Sequence, residues 1–370
     1  MRSLDLFSGA GGLTRGLHDA GWDTVAAVEI DPHANETYAA NFPGVELVRS
    51  DIRSVDFRRW RGTVDLVVGG PPCQPFSVAG RQRSHEDPRD CVPDFIRAVR
   101  EVQPVAFMME NVPGLASPRH RTYLLAIVNE LRNADFHVTV GVLDAARFGV
   151  PQFRRRLFVV GTRDQRFLFP EPAYGYNAPL PYITVADALC DVPHDIPNRA
   201  IVTYAKNPVL RPQPWDGMLV NGGGRPINQR EPSQTIPASA GGNRTHILDD
   251  EGILVNYHAY LMAGGKPRSG VVEGVRRLTV RESARIQSFP DKHEFLGRQT
   301  RRYNQVGNAV PPRLAAELGS SMINHIQGIS SASGVRSDAY YSSLSGGLYF
   351  QAGVLRTMNI QEDSRFLLDS

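Results

Sequence analysis

Up to about Asp164, short apolar runs alternate with stretches in which apolar side chains return every three or four positions. That alternation predicts strands and helices in turn. The strand candidates are Ser3 to Leu6, Thr24 to Val28, Val45 to Val48, Val64 to Val68, Val105 to Met109, His137 to Leu143 and Leu157 to Val160. Helical spacing runs through Thr14 to Ala20, Asp94 to Val102 and Arg121 to Asn133. The expected fold is α/β, a doubly wound and mostly parallel sheet. From Asp164 to Gly274 prolines multiply, glycines cluster at Gly222 to Gly224 and at Gly241 and Gly242, and no helical period is sustained, which predicts a smaller, loop-rich domain. Regular structure returns where Thr279 and Glu282 can form a capping box for a helix that reaches Gln287 before Pro290, and a second helix spans Pro312 to about Ile326. The expected divisions are therefore residues 1–163, 164–275, a return segment 276–327 that completes the first domain, and a tail 328–370 that carries no functional reading.

Composition narrows the partner class. The chain has 370 residues, 41% of them hydrophobic, enough for a sizeable core, and a formal net charge of +3. Only Lys206, Lys266 and Lys292 are lysines, so the positive charge is nearly all arginine. Arginine suits bidentate contacts to phosphate and guanine, although a GC-rich genome produces the same bias. Cys73, Cys91 and Cys190 form no CxxC or Cys/His cluster, which argues against a disulfide framework and a bound metal and for a reducing cytoplasm. Met1 and Arg2 lead straight into an apolar run with no room for a signal peptide, and no membrane-length stretch lacks charge or proline, so a cytoplasmic protein without membrane contact is expected.

Chemistry is concentrated where strands end. After the first strand comes Phe7-Ser8-Gly9-Ala10-Gly11-Gly12-Leu13, small residues that let a ligand approach the backbone at a helix start. Glu29 follows the second strand at a spacing suited to ribose hydroxyls, and Asp51 follows the third, where it can accept from an adenine amino group. On these residues alone an NAD oxidoreductase remains open, and the GxGxxG spacing is absent. The fourth strand runs into Gly70-Pro71-Pro72-Cys73-Gln74, where two prolines stiffen the loop that carries a thiol. The fifth ends in Glu110-Asn111-Val112, and Gln152-x-Arg154-x-Arg156 enters the last, with Arg154 and Arg156 alternating onto one face.

These motifs, with Arg277-Leu278-Thr279 through Gln287 and Gly307-Asn308-Ala309-Val310, stand in one order over Arg2 to Ile326. The chain so resembles the cytosine-5 DNA methyltransferase family, of the bacterial restriction-modification type. The resemblance implies an S-adenosylmethionine-dependent methyltransferase of Rossmann-like fold, with a target-recognition domain over residues 164–275. Phe7, Gly9, Gly11, Leu13, Glu29, Asp51, Pro72, Asn308 and Val310 would surround the cofactor, with Ile30 and Ile52 against the adenine faces. Cys73 would be the nucleophile, Glu110 the group on ring nitrogen 3 and the exocyclic amine, Arg156 the partner of the ring carbonyl, and Arg154 would steady the carboxylate or a phosphate.

Attack on cytosine carbon 6 needs the base out of the helix stack. Ser77, Arg81, Gln82 and Arg83 are expected in a loop that closes over it, and Arg225, Arg230, Gln234, Thr235 and Arg244 among the DNA contacts. Double-stranded DNA is the expected partner of a monomer, with room for a cognate restriction endonuclease acting on the same site. The rivals are a tRNA cytosine-5 methyltransferase, against which the long region between Gly161 and Arg277 counts, and a catalytically silent DNA-binding protein, against which Cys73, Glu110 and Arg156 count.

Overall fold

The computed structural model describes residues 1–72, 90–193 and 195–329, with residues 341–344 and 348–351, Val354 and Met358 nearer the end of the chain. Contacts divide it into two compact units. The first comprises Met1–Asp144, Arg155–Glu171 and Leu314–Ser370, and the second Ala145–Arg154 and Pro172–Arg313. The sequence boundaries at residues 164 and 276 follow texture; by contacts, residues 145–154 and 276–313 group with the second unit.

The first unit opens with β1 (Arg2–Leu6), α1 (Gly12–Asp19), β2 (Asp23–Glu29), α2 (Pro32–Asn41), β3 (Glu46–Arg49) and β4 (Leu66–Gly69). It continues with α3 (Val92–Val102), β5 (Ala106–Asn111), α4 (Arg121–Arg132), β6 (His137–Asp144) and β7 (Arg155–Thr162). The strands lie in the order β6-β7-β5-β4-β1-β2-β3; β1 to β5 are mutually parallel and β7 runs antiparallel to both neighbours. All four residues of β4 are buried, as expected of a central strand covered on both faces. Beside it α3 buries Val92, Phe95, Ile96, Val99 and Val102 as one stripe, and Gln103, at φ 54°, ends the helix ahead of Pro104. These residues join Leu4, Phe57, Phe107 and Leu124 in the main core.

The second unit holds α5 (Val185–Leu189), β8 (Tyr204–Val209), β9 (Met218–Val220), β10 (Ile247–Leu248), α6 (Ile253–Met262), β11 (Arg276–Arg277), α7 (Val280–Ile286) and α8 (Gln299–Asn308). Its sheets are only two-stranded, β8 with β9 and β10 with β11. The helix α6 lies where no helical period is sustained, because Ile253-Leu254-Val255 and Tyr260-Leu261-Met262 make it apolar nearly all round. Leu254, Tyr257 and Leu261 pack with Val202, Leu219, Val220, Ile247 and Val272 in a small core of their own. The capping box of α7 forms as its sequence suggests: Glu282 N donates to Thr279 Oγ1 at 3.1 Å, and Thr279 N to Glu282 Oε2 at 2.7 Å.

The chain then enters α9 (Pro312–Ile326), which from Leu314 belongs to the first unit and receives the Trp22 indole N–H on Gly319 O at 3.0 Å. The tail supplies β12 (Tyr341–Leu344) and β13 (Leu348–Gln351), a pair that extends the sheet, β13 lying parallel to β6. Val142 N donates to Gln351 Oε1 at 2.8 Å, and Phe350 is fully buried in the main core. A segment without a sequence reading is thus part of the first unit. Among the described residues no helix is long and apolar enough to cross a membrane.

Phe350→Ala should cost about 3–5 kcal/mol of unfolding free energy, the usual loss for a fully buried phenylalanine. Urea unfolding measures it, and a loss under about 1 kcal/mol would show that the tail does not contribute to the core.

Candidate active site

Leu6 of β1 is level with Val28 of β2 and Gly69 of β4, and Gly69 with Met109 of β5. The residues that follow, Phe7, Glu29, Gly70 and Glu110, therefore share one edge of the sheet. Strand order also reverses there, with β2 and β4 on opposite sides of β1, which opens a crevice at the carboxyl ends.

One side of the crevice is a cradle. Phe7 at φ 57°, Gly9 at 54° and Gly11 at 82° are left-handed, and they turn the chain from β1 into α1. A side chain on Gly11 would start 2.2 Å from the Phe42 ring. Glu29 holds the turn: Oε2 accepts from Gly9 N at 2.8 Å, and Oε1 from Ile30 N at 2.8 Å and Asp31 N at 2.7 Å. Burial raises the Glu29 pKa and these N–H groups oppose the rise. Asp51 accepts from Arg53 N at 3.0 Å and pairs with Arg53 Nη1 at 3.4 Å. Ile52 and Leu13 are buried, whereas Ile30 is 64% exposed beside Glu29.

Beneath the cradle Asp5 is fully buried. Its Oδ2 accepts from Thr14 Oγ1 at 2.6 Å, Thr14 Oγ1 lies 2.8 Å from the Tyr38 hydroxyl, and Asp5 Oδ1 has no hydrogen-bond partner among the described residues. Burial pushes the Asp5 carboxyl up to about 7 against the pull of Thr14. Neither Asp5 nor Thr14 stands out in the sequence, where both read as ordinary flanks of the glycine turn.

The other side carries a charged pair. Glu110 Oε1 pairs with Arg156 Nε at 2.9 Å, both side chains being about six-sevenths buried (14% and 15% exposed). Arg156 Nη1 also donates to Arg155 O at 2.8 Å, which helps fix the guanidinium. A side chain on Gly70 would start 2.8 Å from Glu110 Oε2, so glycine lets the loop after β4 approach that carboxylate. The loop is tied down by Asn111 Nδ2, which donates to Pro71 O at 3.1 Å, and by Cys91 N, which donates to Pro72 O at 3.2 Å. Asn111 belongs to a motif that sequence reading singled out, yet its anchoring role depends on a neighbour 40 positions away. Cys73 comes next in the chain. It lies outside the described residues, as do Ser77, Arg81, Gln82 and Arg83.

Arg154 requires a correction. It was expected to steady the carboxylate or a phosphate, but it is 1% exposed and its guanidinium donates to Ile236 O at 3.1 Å, Gly307 O at 2.8 Å and Ala309 O at 3.0 Å. A buried guanidinium needs several acceptors, and here backbone carbonyls supply them. Gln287 Nε2 reinforces the same segment by donating to Val306 O and Ala309 O, and Gln152 Nε2 donates to Gln287 Oε1 at 2.7 Å. Between the clamped carbonyls Asn308 is exposed, and Val310 beyond them is buried.

The expected DNA contacts divide by exposure. Arg230, Thr235 and Arg244 are exposed and Arg225 is half-buried. Gln234 Nε2 donates to Trp215 O at 2.8 Å, and the Thr235 hydroxyl donates to Phe153 O at 2.7 Å. These two act first on their own backbone surroundings.

Residues 1–324 match the family described as C-5 cytosine-specific DNA methylase. The chain belongs to that family. It is 35% identical over 340 residues to the Type II methyltransferase M1.HphI of Haemophilus parahaemolyticus, covering 86% of each chain. It is 34% identical over 354 residues to M.PspPI of a Psychrobacter strain, covering 86% of this chain and 78% of that one. Among solved structures, the chain is similar to a Spodoptera frugiperda DNMT2 variant with a TM-score of 0.65 at 20% identity, covering 87% of this chain and 99% of that one. That likeness shows the fold.

The methylase transfers a methyl group from S-adenosylmethionine to carbon 5 of cytosine in DNA. The cradle fits such a cofactor: it offers carboxylates as acceptors at Glu29 and Asp51, and in Ile30 an aliphatic side chain left in water that an adenine face would cover.

The raised Asp5 pKa makes a pH prediction for the methylase. A carboxyl whose folded pKa lies above the unfolded value contributes stability that is present below about pH 4 and lost as pH rises to about 7. Asp5→Asn removes that loss. The variant's unfolding free energy minus that of the unaltered chain should therefore grow between pH 5 and 7 and level off above, on the order of 3 kcal/mol in all. Denaturant melts across that range measure the difference, and a flat difference would show that Asp5 is not perturbed.

Proposed function

We propose that Cys73 attacks carbon 6 of a flipped-out cytosine while Glu110 and Arg156 hold the ring. The partly buried Glu110–Arg156 pair beside the clamped Pro71-Pro72 segment is the observation that supports this reading. The other cysteines are poorer nucleophiles for it. Cys91 is buried with its pKa pushed up by desolvation, and Cys190 sits in the second unit with its thiol donating to Asp187 O.

The sulfur of Cys73 adds to carbon 6, which breaks the ring's aromaticity and makes carbon 5 an enamine carbon. Glu110, held by Arg156 through Oε1, meets ring nitrogen 3 and the exocyclic amine, a donor and acceptor pair that selects cytosine over thymine. Arg156 also offers N–H groups to the ring carbonyl. S-adenosylmethionine would supply an electrophilic methyl group, and Phe7, Gly9, Gly11, Glu29, Ile30 and Asp51 would hold and orient it. Carbon 5 takes the methyl as the bond from methyl to the donor's sulfonium sulfur breaks and leaves a neutral thioether; carbon 5 then releases its proton to water, the bond from carbon 6 to the Cys73 sulfur breaks and the thiolate leaves. Arg154 supports this scheme by holding Ile236 and residues 307–309 through their carbonyls.

The protein acts as a monomer in the bacterial cytoplasm. It reads duplex DNA with its second unit, and serves as the modification enzyme of a restriction-modification system. The relatives bearing the name Type II methyltransferase support that role, which implies a cognate endonuclease for the same sequence.

Cys73→Ser should abolish methyl transfer and leave duplex binding largely intact. Duplex carrying 5-fluorocytosine, incubated with the protein and S-adenosylmethionine, should yield an adduct that survives denaturation, because no proton can leave carbon 5. An active preparation that forms no such adduct would overturn the reading. Glu110→Gln should lower kcat by about 100-fold or more. Near-normal turnover in a single-turnover assay would remove Glu110 from the chemistry, and methylation of tRNA in preference to duplex DNA would change the substrate.

A further inference from the structure

We propose that His246 is a positioning residue for sequence recognition, its imidazole pinning the Arg225 and Thr235 segments of the second unit at a fixed spacing. The proposal rests on the reading that these segments contact DNA.

His246 is 6% exposed, and both ring nitrogens are engaged. Arg225 N donates to Nδ1 at 3.4 Å, and Nε2 lies 3.3 Å from Thr235 O. A carbonyl only accepts and a backbone N–H only donates, so one neutral tautomer, protonated at Nε2, satisfies both neighbours at once. Burial lowers the pKa of the ring, which keeps it in that form. The backbone of His246 adds a third segment, its carbonyl accepting from Leu278 N at 3.0 Å.

Each pinned segment is also fixed on its far side. Ile247 N donates to Arg225 O at 2.9 Å and Ile227 N to Ile247 O at 3.0 Å. Thr235 Oγ1 donates to Phe153 O at 2.7 Å, and Ile236 N to Gln152 Oε1 at 3.0 Å. The His246 side chain joins these two arrangements. Arg225 and Arg230 precede the pinned Thr235 in one stretch of chain, so the imidazole sets how far the start of that stretch lies from its end. A bidentate contact to a base edge tolerates only a small displacement of the backbone that presents it. The imidazole therefore governs discrimination between sites without touching DNA itself.

Three variants separate this role from general support of the fold. His246→Ala removes both arms, His246→Asn keeps an acceptor near Arg225 N, and His246→Gln keeps a donor near Thr235 O. Bisulfite sequencing of plasmid methylated by the unaltered protein defines the cognate site. Rates are then measured on cognate duplexes and on duplexes with one base pair changed. His246→Ala should raise the KM for DNA about tenfold and lower the cognate preference about tenfold, the scale of one imperfectly read base pair. The KM for S-adenosylmethionine should stay within about twofold, and Asn or Gln should restore part of the preference. Unchanged discrimination, or both KM values rising together, would overturn the proposal. Should His246→Ala fail to fold, full discrimination in both Asn and Gln variants would overturn it equally, and reduced discrimination would support it. An unaltered protein that methylates no duplex would overturn the parent reading, an outcome distinct from an active enzyme whose selectivity ignores His246.

Discussion

The level register of β1, β4 and β5 at the carboxyl edge of the sheet is the constraint on which the rest depends. Parallel pairing sets Leu6 against Gly69 and Gly69 against Met109, so the glycine turn, the Pro-Pro loop and Glu110 emerge side by side although more than a hundred residues separate the first from the last. Main-chain ladders are stiff and repeat at a fixed rise, which lets three loops meet at one crevice without any loop having to be rigid by itself. What remains for side chains is local: Glu29 tightens the first turn, Asn111 ties the second loop, and Arg156 aligns the carboxylate.

The central strands were legible in the sequence because burial on both faces demands an unbroken apolar run, and the capping box was legible because Thr279 and Glu282 touch within one turn. Patterns that depend on contrast failed where contrast was missing. The helix α6 is apolar on nearly every side, and α8 offers little beyond Tyr303 and Val306 to mark a face. The strands of the tail lie among serines and glycines, and what secures β13 is its pairing with β6, which no local spacing encodes.

The same limit explains the two arginines of Gln152-x-Arg154-x-Arg156. Alternation correctly separated Arg155 from its neighbours, and Arg155 is exposed. It could not tell which acceptors each inward guanidinium would meet. Arg156 meets the side chain of Glu110, whereas Arg154 meets backbone carbonyls more than 80 positions away in the sequence. One motif thus combines a guanidinium paired with a carboxylate and another clamped among carbonyls. His246 escaped notice for a related reason, since a lone histidine in a loop has no pattern until Arg225 and Thr235 are seen on either side of its ring.

The interrupted course of the first unit bears on how the chain matures. Its segments are 1–144, 155–171 and 314–370, so the ribosome must make the whole second unit before the indole of Trp22 can meet Gly319, 297 positions later. Contacts of such long range slow folding and leave apolar surface open in the interim. The nascent sheet therefore waits, with part of its covering not yet synthesised.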